Sequence, residues 1–177
     1  MQRIKYKDLK FTTVARNKCM TCGGFKRKKP CPPFNKSVKY YMEKFAKYRK
    51  IYMVVMRTDG TIPWRNGIDP EKLVKKVDRG LKGVAKGMPI IMHSKLLEIR
   101  SKNPGRADIY ISGSCSACRP CNVGGKCLKG AFAHSPEGSG IDVMNTIRDL
   151  GFEIQDIPYD YIVNVGFVGF KRRANNG

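Results

Sequence analysis

Seven cysteines confined to two short stretches constrain this chain of 177 residues more than any other feature. Cys19, Cys22 and Cys31 stand near the N-terminus; Cys115, Cys118, Cys121 and Cys127 follow after 83 residues without a thiol. The odd count, at a density below that of a disulfide scaffold, argues against a stapled secreted fold. Closely spaced C-x2-C units suit metal or redox chemistry. Thiols serving only as small buried apolar groups would need no such spacing.

The second group reads Cys115-Ser-Ala-Cys118-Arg-Pro-Cys121, then five residues, then Cys127. Successive x2 steps wrap the backbone around one face of a cluster, so that three thiolates reach three irons. Bacterial ferredoxins use a similar run, C-x2-C-x2-C-x3-C-P, whose fourth cysteine serves a second cluster. Here the last gap is five residues, and Leu128 stands in place of the proline. Zinc sites more commonly pair two C-x2-C units across about 12 residues or more. The spacing favours one or two iron–sulfur clusters of the 4Fe-4S type, with zinc as the alternative.

In the first group, Cys19-Met-Thr-Cys22 is followed by Gly23-Gly24-Phe25-Lys26-Arg27-Lys28-Lys29-Pro30 and then Cys31-Pro-Pro. The glycines let backbone amides approach sulfur. Pro30, Pro32 and Pro33 predict an extended, stiff exit. The basic run can offset cluster charge, meet an acidic partner, or stand solvated. Two four-coordinate cubanes need eight ligands, and the chain supplies seven thiols. Two clusters would leave one iron free for water, substrate or a non-cysteine ligand such as His134, seven residues beyond Cys127. A surface-loop histidine is the plainer reading of His134, and His93, beside Pro89-Ile-Ile-Met92, reads as packed core.

The formal net charge is +21, and residues 1–58 carry 17 Lys and Arg against 2 acids. Such a surface fits a polyanionic partner, nucleic acid included, but also a Lys-rich proteome or compensation for anionic clusters. A hydrophobic fraction of 41% supports a packed core. The longest strongly apolar run, Ile51–Met56, is far too short to span a bilayer. With no apolar signal segment at the N-terminus, a cytoplasmic location without membrane contact is expected.

The pairing of Cys-x2-Cys…Cys-Pro-Pro with Gly-Ser-Cys-Ser-Ala-Cys-Arg-Pro-Cys…Cys resembles a cysteine-rich family of predicted metal-binding proteins of unknown function, found mainly in anaerobic bacteria and archaea. The likeness extends to Ser135-Pro136-Glu137…Gly140-Ile141-Asp142-Val143 and covers about residues 15–155. It implies metal binding, with iron–sulfur foremost, by Cys19, Cys22, Cys31, Cys115, Cys118, Cys121 and Cys127, and implies no particular reaction. Members often carry Cys-Arg-x-Pro at the last cysteine, where this chain has Cys127-Leu-Lys-Gly130.

Periodicity places these motifs. A polar, basic stretch over 1–18 holds a short strand at Phe11–Ala15. Ser37–Tyr48 is an amphipathic helix with Val38, Tyr41, Met42, Phe45 and Tyr48 on one face. Ile51–Arg57 is a buried strand ended by Asp59-Gly60. Trp64 lies in a loop, and Asp69-Pro70 opens a helix with Leu73, Val74, Val77, Leu81 and Val84 on its apolar face. A helix over Ile90–Arg100, a strand over Ala107–Gly113, a helix capped by Ser139 and closed by Gly151, and a strand over Tyr161–Phe170 complete the pattern. The alternation predicts an α+β fold, a ferredoxin-like split βαβ sheet with the cysteine loops at one edge. Residues 1–177 read as a single α+β metal-binding domain with a basic, cysteine-containing segment over 1–36.

No phosphate loop is present, because no Lys-Ser/Thr pair follows Gly138 and Gly140, and no Ser-His-Asp set or catalytic carboxylate pair stands out. Glu137 and Asp142 suit helix-start charges equally well. Three functions compete. An iron–sulfur protein would pass electrons to a redox partner. An open-site iron–sulfur enzyme would act on an anionic substrate such as RNA. A zinc protein would bind nucleic acid through its basic face.

Overall fold

The computed structural model describes residues 1–59, 87–113, 115–118, 120–127, 132–154 and 161–172. Trp64 and the helix expected from Asp69 lie outside them. The described elements are β1 (Gln2–Ile4), α1 (Thr13–Asn17), α2 (Val38–Ala46), β2 (Lys50–Asp59), the helical residues 87–101 (α3), β3 (Ala107–Ile111), α4 (Val143–Asp149) and β4 (Tyr161–Phe170). The four strands form one sheet in the order β1-β2-β4-β3, every neighbouring pair antiparallel. This is the α+β class expected. β2 and β3, both antiparallel to β4, run parallel to each other on either side of it, with α3 between them in the chain.

β2 and β4 pair along ten residues, from Lys50 opposite Phe170 to Asp59 opposite Tyr161. Alternation sends their side chains to two cores. Ile51 and Met53 of β2, Tyr110 of β3, and Val165 and Phe167 of β4 face one way, packed with Tyr41, Phe45 and Tyr48 and with Ile147 of α4. Ile109, Ile111 and Val168 face the other way, against Met92 and Leu96 of α3. The sheet is therefore covered on both faces, which explains why its strands read as near-continuous apolar runs. Two glycines of β4 permit close approach. A Cβ on Gly169 would stand 2.3 Å from Tyr48 Cε2, and one on Gly166 would stand 2.7 Å from Leu96 Cδ1.

Local expectations are revised in three places. Phe11 forms only an isolated bridge to Ile141, and residues 13–17 are helical, with Thr12 Oγ1 accepting from Val14 N. The helix expected to start at Ser139 starts three residues later: Asp142 caps α4 by accepting from Asn145 N, while Ser139 is buried in the preceding turn. The exit from Cys31 turns back, with Phe34 N and Asn35 N both donating to Cys31 O. The N-terminal segment also contributes β1, paired with β2, which its polar composition concealed. Ser37 does cap α2, accepting from Tyr40 N, and Gly151 closes α4 at φ +83°. Among the described residues no helix is long and apolar enough to cross a membrane.

Candidate metal centre

The edge strand β3 ends at Ile111 and delivers the chain, through Gly113, into the second cysteine group. Cys115, Cys118, Cys121 and Cys127 line one pocket together with Lys29, Pro30, Asn122 and Phe132. The room they enclose is about 10 Å³, close to that of one water-sized sphere. Burial raises the Cys127 thiol, and Cys115, Cys118 and Cys121 raise it further, as expected of four potential anions facing one another. Cys115 is buried within the core that α3 covers. Ser116 Oγ, inside the cysteine loop, meets Nδ1 of the buried His93 on α3 at 3.0 Å. His93 is thus packed core, as its neighbours in sequence implied, and it also ties α3 to this loop.

The first group lines a second pocket of about 200 Å³. Cys19, Cys22 and Cys31 share it with Lys18, Phe25, Gly113, Ser135 and Glu137. Burial pushes the Cys19 thiol up to about 11 and the Cys31 thiol up to about 12, with Glu137 and the neighbouring thiols adding to the shift. These thiols are protonated near neutrality, so a metal bound here displaces protons. Among the described residues, no group of three or more His, Cys, Asp or Glu side chains is arranged to hold a metal ion. The thiols share pockets without converging on one point.

The basic run is divided. Lys26, at φ +55°, and Arg27 are exposed. Lys28 and Lys29 turn toward the other cysteine loop: Lys28 Nζ donates to Cys115 O at 2.9 Å, and Lys29 Nζ donates to Gly125 O. Lys29 N donates to Cys121 Sγ at 3.4 Å. This half of the run is a tie between the two groups, not a free solvated loop. Because Pro30 lines the four-cysteine pocket and Cys31 the three-cysteine pocket, the two sites share a wall only about 3.8 Å of chain apart.

His134, the suggested non-cysteine ligand, lies elsewhere. Its backbone joins β3, with Ile111 N donating to His134 O and His134 N to Ile109 O, each at 2.9 Å. Its ring stacks on Tyr110, contacts Tyr41 OH at 3.2 Å through Nδ1, and meets Lys44 Nζ at 3.1 Å through Nε2. A lysine ammonium can only donate, so Nε2 accepts and Nδ1 carries the proton. Burial first, and then Lys44, hold this imidazole down at about 3. It is a neutral structural histidine, neither a surface residue nor a companion of the cysteines.

Glu137 is the residue that sequence reasoning left undecided and the structure places at a site. It lines the three-cysteine pocket and belongs to no helix. The signal available was its position in the Ser135-Pro136-Glu137 stretch, which helix-start chemistry explains equally well.

A mixed α+β chain that gathers seven thiols into two adjoining pockets is, as a class, a cysteine-ligated metal-binding protein. Residues 2–168 match the family described as predicted metal-binding protein (DUF2284), and the chain belongs to that family. No curated protein and no solved structure matches it.

Proposed function

We propose that this chain is an iron–sulfur protein with two centres, one on Cys115, Cys118, Cys121 and Cys127 and one on Cys19, Cys22 and Cys31, which passes electrons to a redox partner. The observation that carries this reading is the enclosure made by the four thiols. A zinc ion held at about 2.3 Å from each sulfur would leave no space for a water-sized sphere among them, whereas about 10 Å³ is open here. The amide of Lys29 at Cys121 Sγ and the inward-turned Lys28 and Lys29 supply the hydrogen bonding and positive charge that stabilise an anionic sulfur-rich group. When bound, such clusters supply one-electron chemistry. The protein's part is to hold the two sites against a common wall, Pro30-Cys31, and to exclude water with Phe132 and Pro30.

Residues 1–177 act in this reading as one metal-binding domain. The parallel pair β2 and β3 around β4 supports a split βαβ arrangement with the cysteine loops beside edge strand β3. One observation favours a second reading, an open-site enzyme: an apolar-lined cavity of about 290 Å³ shares Lys18 and Glu137 with the three-cysteine pocket.

Anaerobic purification followed by metal and acid-labile sulfide analysis tests the main reading. Iron with matching sulfide, and a visible absorption bleached by dithionite, are expected. Zinc without sulfide would overturn it.

A further inference from the structure

Seven thiols leave one of two cluster sites a ligand short, and the three-cysteine pocket contains a chemically suitable eighth. Of the residues that share it with Cys19, Cys22 and Cys31, only Glu137 offers an anionic oxygen. Lys18 is a cation, Ser135 offers a hydroxyl, and Phe25 and Gly113 offer no side-chain ligand. We infer that the Glu137 carboxylate closes the three-cysteine centre as its fourth ligand, an oxygen donor that a small ligand can displace. The inference rests on the iron–sulfur reading above and assigns the position that reading leaves open.

Three observations support it. The first is anchoring. Ser135 Oγ donates to Glu137 Oε2 at 3.2 Å, and Gly140 N donates to Glu137 O at 2.9 Å. The carbonyl of the next residue, Gly138, accepts from Arg16 Nη1 at 2.6 Å and from Asn35 Nδ2 at 2.7 Å. Arg16 lies just before Cys19 and Asn35 just after Cys31, so both flanks of the cysteine group are tied to the backbone beside Glu137. The second is electrostatic reach: the Glu137 charge acts on both Cys19 and Cys31. The third is the missing counter-charge. Among the described residues no lysine or arginine forms an ion pair with Glu137, although its carboxyl is withdrawn from water. A desolvated carboxylate without a cation is costly, and coordination to a metal supplies the missing charge. Carboxylate oxygen is a harder ligand than thiolate, which makes this the exchangeable position.

The test uses the full chain, reconstituted anaerobically with ferrous iron and sulfide, as wild type, Glu137→Gln and Glu137→Cys. Iron content and electron paramagnetic resonance are read with and without added 2-mercaptoethanol. Glu137→Gln should lose about one iron per chain and show the oxidised-state signal of a three-iron cluster, while the signal of the four-cysteine centre persists. Glu137→Cys should regain that iron and ignore the added thiol, which shifts the wild-type signal. Unchanged iron and spectrum in Glu137→Gln would overturn the ligand assignment while leaving the two-centre reading intact. If Glu137→Gln does not fold, an equal thiol response in wild type and Glu137→Cys overturns the assignment instead. A wild type that assembles no cluster at Cys19, Cys22 and Cys31 overturns the two-centre reading itself, and this inference with it.

Discussion

The hydroxyl of Tyr48 donates to Asp108 Oδ2 at 2.7 Å and meets the Tyr110 hydroxyl at 2.8 Å, joining α2 to β3 where Lys44 and Lys171 also reach Asp108. Removing that hydroxyl with Tyr48→Phe leaves a desolvated carboxylate and a buried phenol each short of a partner, so a loss of about 1–3 kcal/mol is expected in urea unfolding. An unchanged midpoint would show that water replaces the bond. His134, in the same network, makes the fold pH-dependent. Its folded-state pKa, held at about 3, lies below the ordinary 6.5, so the unfolded chain binds the proton more readily. This stabilisation is complete above 6.5 and is lost as the pH falls toward about 3. In His134→Gln that portion of the acid sensitivity should vanish; a stability-against-pH curve superimposable on wild type would refute it. At this scale the cysteines were legible because their spacing is itself the signal. A single histidine or glutamate has no spacing. His134 is placed by backbone pairing with β3, and Glu137 by a turn tied to Arg16 and Asn35, contacts spanning 20 to 120 positions that no local pattern encodes.

Among the elements, those with a long apolar period were legible. α2, with buried Tyr41 and Phe45, and β4, covered on both faces, lie where periodicity put them. Short elements were not. Five residues of α1 carry too little pattern to be told from a strand, and β1 owes its existence to pairing with β2. Nor does the period of α3 reveal that His93, on its buried face, bonds Ser116 in the four-cysteine loop. Here the helix both covers the sheet and orients the loop. His93→Ala should therefore loosen the four-cysteine centre selectively. Its iron should be lost to a chelator several-fold faster, while far-ultraviolet circular dichroism is unchanged. Equal chelation rates in variant and wild type would reduce His93 to a packing residue.

Across the whole molecule, the sheet and the cysteine loops draw on different sources of stability. The two cores are built from strands and helices and include only one of the seven thiols, Cys115. The contacts found between the basic run and the second cysteine loop are three hydrogen bonds: Lys28 to Cys115, Lys29 to Gly125, and the Lys29 amide to Cys121. Each contributes about 1 kcal/mol net, against roughly 1–2 kcal/mol of backbone entropy for every residue ordered. Three such bonds cannot alone order the stretches 18–31 and 115–127, so bound metal must supply the balance. Stripping the metal should then leave the sheet folded and release the loops. In timed tryptic digestion, cleavage after Lys28 and Lys126 should accelerate about tenfold or more on chelation, as expected for local opening. Cleavage at the exposed Lys26 and Arg27 should change less, and fragments spanning β2 and β4 should persist. Identical digestion with and without metal would mean that the loops are ordered by the polypeptide alone, which would remove the structural argument for a resident metal centre.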